Sequence, residues 1–262
     1  MLILNFAPKK QIKVTMHKLS FTIVLSLFCL LAQAQTALEI IKKADDKMRG
    51  KTSRSEMTIK ILRPTWEREM TMKSWSKGTE MSMVLITAPA KDAGTVFLKR
   101  QKEIYNWMPS IERSIKLPPS MMMQSWMGTD FTNDDLVKES SAVEDYTHKI
   151  LNDSTIEGRV CWKLELTPKP DAAVVWGKIY SWVDKKDYLQ LRTEFYDEDG
   201  ILINTMTGSD IKDLGGKILP SKMEMIPADK KGNKTIMIQK WIKFDEPIED
   251  SFFSAENMKK VK

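Results

Sequence analysis

IYNWMPSIERSIKLPPSMMMQSWMGTDFTNDDL, residues 104–136, is the stretch on which the fold turns. It is rich in large apolar side chains, among them Trp107, Met121, Met122, Met123, Trp126, Met127 and Phe131. Yet Pro109, Pro118, Pro119 and Gly128 break any single helix or strand across it. Apolar bulk without a period needs a surface made elsewhere in the chain. It covers the protein's own core, or it lines a cavity that another hydrophobic molecule fills. Residues 104–108 and 111–117 suit two short strands around a Pro109-Ser110 turn, residues 120–126 suit about two helical turns, and Asn133-Asp134-Asp135 reads as a helix N-cap.

On both sides of this stretch the apolar residues recur with a period of two. Before it, strands are expected at 57–62, 66–75, 81–87 and 95–100. Met70 with Met72, and Met81 with Met83 and Leu85, mark the apolar faces of the second and third. After it, strands are expected at 146–151, 160–166, 179–184, 189–195, 201–207, 218–226 and 236–242, with Asp199-Gly200, Gly215-Gly216 and Gly232-Asn233 as turn signals. Residues 36–49 read as one amphipathic helix ended by Gly50, and residues 247–260 as a tail anchored by Phe252, Phe253 and Met258. A flat antiparallel sheet of about a dozen strands curls or closes. One short helix cannot fill the concave side of such a sheet, so the middle segment is expected to act as its lid and filler.

Residues 1–34 read as a secretory leader. Lys9, Lys10, Lys13 and Lys18 precede an apolar run over 19–31, and Ala32-Gln33-Ala34 has the small-x-small form of a cleavage site. MHKLSFTIVLSLFCLLAQA is a complete signal by itself, which makes Met16 the expected start. The run is short of the roughly 20 residues that span a bilayer. Cys29 follows Phe28 rather than a small residue, which argues against a lipid-modified terminus. Without the leader, the net charge of +6 loses four lysines and falls to +2, which removes the main support for nucleic-acid binding. The expected organisation is a leader, 1–34, and a single secreted domain, 35–262. Cys161 is then the only cysteine, placed by its strand pattern on the polar face, so a core rather than a disulfide must stabilise the fold.

The same residues argue against covalent chemistry. Past the leader the only histidine is His148, which excludes a multi-histidine metal site. No GxSxG elbow or phosphate-binding glycine loop occurs. Asp197-Glu198-Asp199-Gly200 reads as a hairpin turn, because the ligand series of a calcium loop is not continued. Neither an enzyme nor a cofactor is expected, and nothing demands more than a monomer. The distinctive residue is methionine: only Met1 and Met16 of the 18 lie in the leader. Unbranched, polarisable methionines adapt to apolar ligands of variable shape, and they also fill irregular cores. At Met70, Met72, Met81, Met83 and Met121–Met123 both uses stay open.

Four segments tie the chain to a family: residues 83–100 with Pro89-Ala90-Lys91-x-x-Gly94, the opening stretch with Pro118-Pro119 and Gly128-x-Asp130-Phe131-x-x-x-Asp135-Leu136, residues 158–200, and the closing FFSAENM, residues 252–258. With these the chain resembles the outer-membrane lipoprotein-sorting proteins of the LolA-like superfamily over nearly all of 35–262. The resemblance implies a mainly β fold with a few helices. Its core is an unclosed, strongly curved antiparallel barrel of about 11 strands, whose hydrophobic cavity accepts the acyl chains of lipoproteins or free lipid. It implies a periplasmic carrier that passes lipid toward the outer membrane, with an inner-membrane transporter and an outer-membrane acceptor as partners. The expected cavity and lid residues are Trp66, Met70, Met72, Met81, Met83, Trp107, Met121, Met122, Met123, Trp126, Met127 and Phe131. The family motif residues are Pro89, Gly94, Pro118, Pro119, Gly128, Asp130 and Asp135. Arg54, Arg63 and Arg68 are all open as the functional arginine. Ser114, Ser120, Met121 and Met122 replace the basic residues common around the first Pro-Pro, which makes the lid more apolar. A sensor or adaptor on the same fold, or an accessory protein of a membrane transporter, is the alternative; a lipid-ester hydrolase built on His148 is a third.

Overall fold

The computed structural model of the protein describes residues 35–138 and 141–262. The expected leader and its cleavage site lie outside the described residues. Helix α1 (Ala37–Arg49) starts where Thr36 and Glu39 exchange side-chain and backbone hydrogen bonds in a capping box. It ends at Gly50, whose positive φ lets the chain turn into the first strand. Lys217 caps this same C-terminal end by donating to the Lys47 carbonyl at 3.0 Å. Ala37, Ile40, Ile41 and Ala44 form its buried stripe, and the helix lies against the seventh and ninth strands.

The strands are β1 (Thr52–Arg63), β2 (Trp66–Lys77), β3 (Met81–Ala88), β4 (Val96–Arg100), β5 (Glu103–Met108), β6 (Arg113–Lys116), β7 (Tyr146–Ile156), β8 (Arg159–Pro168), β9 (Lys178–Asp184), β10 (Gln190–Tyr196), β11 (Leu202–Leu214), β12 (Lys217–Pro227) and β13 (Lys234–Phe244). They form one 13-stranded sheet in the order β6-β5-β4-β3-β2-β1-β13-β12-β11-β10-β9-β8-β7, two strands more than the family resemblance implied. Every neighbouring pair is antiparallel. The ring of strands is broken once, between β6 and β7, and residues 117–145 run from one edge to the other. The mainly β, unclosed architecture with few helices agrees with the sequence reading.

Three apolar clusters hold the sheet. The central one lies on the concave side and joins α1, Ile59 and Ile61 of β1, Met70 and Met72 of β2, and Leu164 and Leu166 of β8 to the middle segment. A second lies on the opposite face of β3 and β4. There Met83, Leu85, Val96 and Leu98 are covered by Ile248, Phe253 and Met258 of the C-terminal tail, which ends in α2 (Ala255–Met258). The third gathers Cys161, Trp182, Leu189, Leu191, Leu214 and Leu219 near the end of α1. Cys161 is therefore fully buried, contrary to its expected place on a polar face.

The middle segment differs from its expected local structure. Residues 120–126 do not make two helical turns: a single 3-10 turn, Pro119–Met121, is followed by a tight double-back. Backbone groups that a helix would pair internally are bonded across the loop. Asn133 donates its side-chain amide to Met121, Asp134 its N–H to Met122, Asn133 its N–H to Gln124, and Trp126 its N–H to Phe131. The cap of the short π-helical turn Asp134–Lys138 is Thr132 rather than Asn133, since Thr132 and Asp135 exchange hydrogen bonds at 2.8 and 3.1 Å. β6 is shorter than the expected 111–117 because Pro109–Ile111 forms a 3-10 turn first.

Candidate functional site: a lid over the concave face

The doubled-back segment presses Met122, Trp126 and Phe131 into the central cluster, with Met121 and Met127 half-buried beside them. The Trp126 ring stands 5.5 Å from that of Phe97 on β4. Its indole N–H is buried and has no acceptor among the described residues. An unmet buried donor costs about 1–3 kcal/mol. Ser181, on the concave face of β9, likewise buries a hydroxyl without a partner. The space under the lid is thus apolar but holds two unused polar groups.

The rim is polar and fastened at two places. On the β1–β13 side, Arg63 donates to Asp130 at 3.0 Å and to the Gly128 carbonyl at 2.9 Å. Thr235 donates its hydroxyl to the same Asp130 carboxylate at 2.7 Å and accepts the Asp130 N–H at 2.9 Å. Asn204 adds a bond to the Asp130 carbonyl. The side chains of this pair are only 12% and 5% exposed, so the ion pair is nearly withdrawn from water. Arg68, paired with Asp92, reaches the Met127 carbonyl at 3.4 Å. On the far side, the Trp176 indole donates to Asp135 at 2.9 Å. Burial raises the Asp135 carboxyl above the usual carboxylate range, against the lowering effect of its hydrogen bonds from Thr132 and Trp176.

The expected cavity residues divide into three groups. Met70, Met72, Met122, Trp126 and Phe131 meet in the central cluster, with Met121 and Met127 at its edge. Met81, Met83 and Trp107 pack instead in the second cluster under the C-terminal tail. On β3 it is Ile86, with Val84, that turns to the concave side, so the expected sidedness of that strand is reversed. Trp66 and Met123 face solvent, at 50% and 68% exposure, Trp66 lying under the Arg63 guanidinium. Of the motif residues, Pro89 follows a cis peptide bond. Gly94 has positive φ, and a Cβ there would stand 3.2 Å from Pro109. Gly128, Asp130 and Asp135 are the fastening points described above, and Pro118 and Pro119 open the double-back. Arg63 and Arg68 lie at the lid, whereas Arg54 donates to the Pro247 carbonyl beside the tail.

Sequence reasoning missed Thr235, Asn204 and Trp176, which hold the lid from distant strands and loops. Only the pairing of strands far apart in sequence reveals them. The His148 ring nitrogen lies 2.6 Å from the Ala142 carbonyl, at the end of the lid segment. Among the described residues no group of three or more His, Cys, Asp and Glu is placed to hold a metal ion. No described helix is long and apolar enough to cross a membrane.

The unclosed antiparallel architecture is of the LolA-like kind, and solved structures share the fold. The chain is similar to a DUF1329 family protein from Desulfovibrio piger (21% identity, 85% of this chain and 97% of that one, TM-score 0.78). It is also similar to a putative outer membrane lipoprotein-sorting protein domain from Vibrio parahaemolyticus (23%, 85% and 98%, 0.76). A LolA superfamily protein from Nitrosomonas europaea is similar too (26%, 86% and 100%, 0.74). A family model described as "Uncharacterized protein" matches residues 78–260, and the chain belongs to that family. No curated protein matches it.

Proposed function

We propose that the protein is a periplasmic carrier that holds acyl chains of a lipid or lipoprotein between the concave face of the sheet and the lid, and passes them toward the outer membrane. The observation that carries this reading is mechanical. Residues 118–138 cover the interior yet pair with no strand of the sheet, the last backbone bond to β5 being that of Leu117 to the Ile104 carbonyl; the β-bridge in this stretch, Ser125 with Thr132, is internal to it. Lifting the lid therefore breaks side-chain contacts and leaves every ladder intact. The similarity to a lipoprotein-sorting domain and to a LolA superfamily protein supports the same function.

The magnitudes allow it. Exposing Met122, Trp126 and Phe131 costs roughly 2–3 kcal/mol each, and burying a long acyl chain returns on the order of 10 kcal/mol. Closed-empty and loaded states then lie close enough for cargo to exchange. The unmet N–H of Trp126 gives an incoming ester or carboxyl carbonyl a donor already stripped of water. No bond of the cargo is made or broken. Native mass spectrometry of protein purified gently from its own periplasm should show bound lipid, and Phe131→Ser should reduce its retention several-fold while the far-UV circular dichroism is unchanged. An interior that carries no lipid under any condition overturns the reading.

A further inference from the structure

β12 and β13 are bonded neighbours only from Met225 opposite Thr235 to Lys222 opposite Ile238. Both strands run on below that point, β12 from Lys217 and β13 to Phe244, without pairing. Their other neighbours keep long ladders: β11 pairs with β12 from Asn204 to Leu214, and β1 with β13 from Ser53 to Leu62. Two features part the strands. Pro220 brings no N–H to the missing ladder. β13 also bulges between Gln239 and Trp241 where it faces β1, and the Gln239 amide donates to the Glu56 and Trp241 carbonyls at 3.0 and 2.7 Å. The gap is closed below by the β11–β12 turn, where a Cβ on Gly215 would stand 2.4 Å from the Ile242 carbonyl oxygen.

What remains is a window in the wall, a cleft of about 70 Å³ lined chiefly by Met48, Leu214, Leu219, Met223, Met237 and Ile242. Its polar neighbours are already engaged, Gln239 as above and Ser221 with the Asp210 carbonyl at 2.8 Å. Met237 lines the cleft and also packs against the central cluster, so one flexible side chain stands between cleft and interior. On the outer face of the same strands Ile218 and Trp241 are 45% and 41% exposed.

We propose that this window seats the methyl end of an acyl chain whose polar end lies beneath the lid. The inference rests on the carrier reading and adds where the chain ends. An apolar cavity of roughly 150 Å³ stays dry and takes up benzene. A cleft about half that size takes the last few carbons of an alkyl chain. Its distance from the lid also fits. Thr235 holds the lid at Asp130, and from there Met237 lies about 7 Å and Ile242 about 23 Å further along β13, at ~3.3 Å per residue. An extended long-chain acyl group covers that span. Met48, Met223 and Met237 can repack around chains of different length, and the missing ladder lets β12 and β13 part without breaking hydrogen bonds.

Photo-crosslinking with a long-chain fatty acid bearing a diazirine at its methyl end tests this on the unsubstituted, full-length protein. Label on Met223, Met237 or Ile242 is expected. Leu219→Trp, which fills the cleft, should move the label away and cut retention of long chains several-fold while sparing medium-length ones. Label confined to Met122, Trp126 and Phe131, or to the outer Ile218 and Trp241, overturns the window and leaves the carrier standing. Absence of both retained fatty acid and label overturns the two together.

Discussion

Asp130 is the residue on which most of the lid's fastening converges: its carboxylate takes Arg63 and Thr235, its N–H reaches Thr235, and its carbonyl receives Asn204. Asp130→Ala leaves a mostly buried guanidinium without its counter-charge, at a cost of about 3 kcal/mol. Urea denaturation should read that loss, and hydrogen exchange should show residues 126–131 losing protection first. Arg63→Lys keeps the charge but not the two-pronged reach to Asp130 and Gly128, and should loosen the lid with a smaller loss of stability. Cys161 is the opposite kind of residue, inert where Asp130 is busy. Burial pushes its thiol up, with the Asp184 carboxylate adding to the effect. A thiol reagent should therefore leave the native protein untouched and react promptly once it is unfolded in urea.

Among the elements, the lid carries a pH signature. The ionised Asp135 carboxylate is disfavoured by burial, so it costs the folded state stability wherever it is charged. Because its folded value is raised, that cost is present at neutral pH and is relieved as the pH falls through it toward the ordinary carboxylate range, about pH 4. Protection of residues 132–138 against exchange, corrected for intrinsic rates, should rise over that interval, and Asp135→Asn should flatten the dependence. The C-terminal tail is a second cover, on the other side. Trp75 packs at a tilt against Phe252, ring centres 5.3 Å apart, and Ile248, Phe253 and Met258 seal the back of β3 and β4. A chain ending after Phe244 forfeits burial of three large side chains, roughly 2 kcal/mol each. It should melt well below the full chain and bind a hydrophobic dye. This tail explains where the sequence misled. Val96, Phe97 and Leu98 are apolar in succession and all buried, because β4 is covered on both faces. With no solvent side to set the phase, alternation could not say which way Met81, Met83 and Trp107 point. On β2 one buried face remained, and Met70 and Met72 were legible.

For the molecule as a whole, the strand positions were readable from alternation and turn residues, because each hairpin is local. The closing pair was not, since β1 meets β13 only through residues far apart in sequence. Such non-local pairing slows folding. Refolding from urea should take milliseconds to seconds, far slower than helical domains of like stability, with the lid's protection recovering after that of β1 and β13. The count of strands also has a consequence of parity. In a sheet whose neighbours all run opposite ways, an odd number leaves the first and last strands pointing in the same direction, and this sheet has 13. Its two edges, β6 and β7, are consecutive in the chain but cannot be joined by a hairpin, for a chain that leaves the end of one must travel back along the height of the wall to begin the other. A long connector across the open mouth is thus required by arithmetic before any ligand is considered, and residues 117–145 supply it.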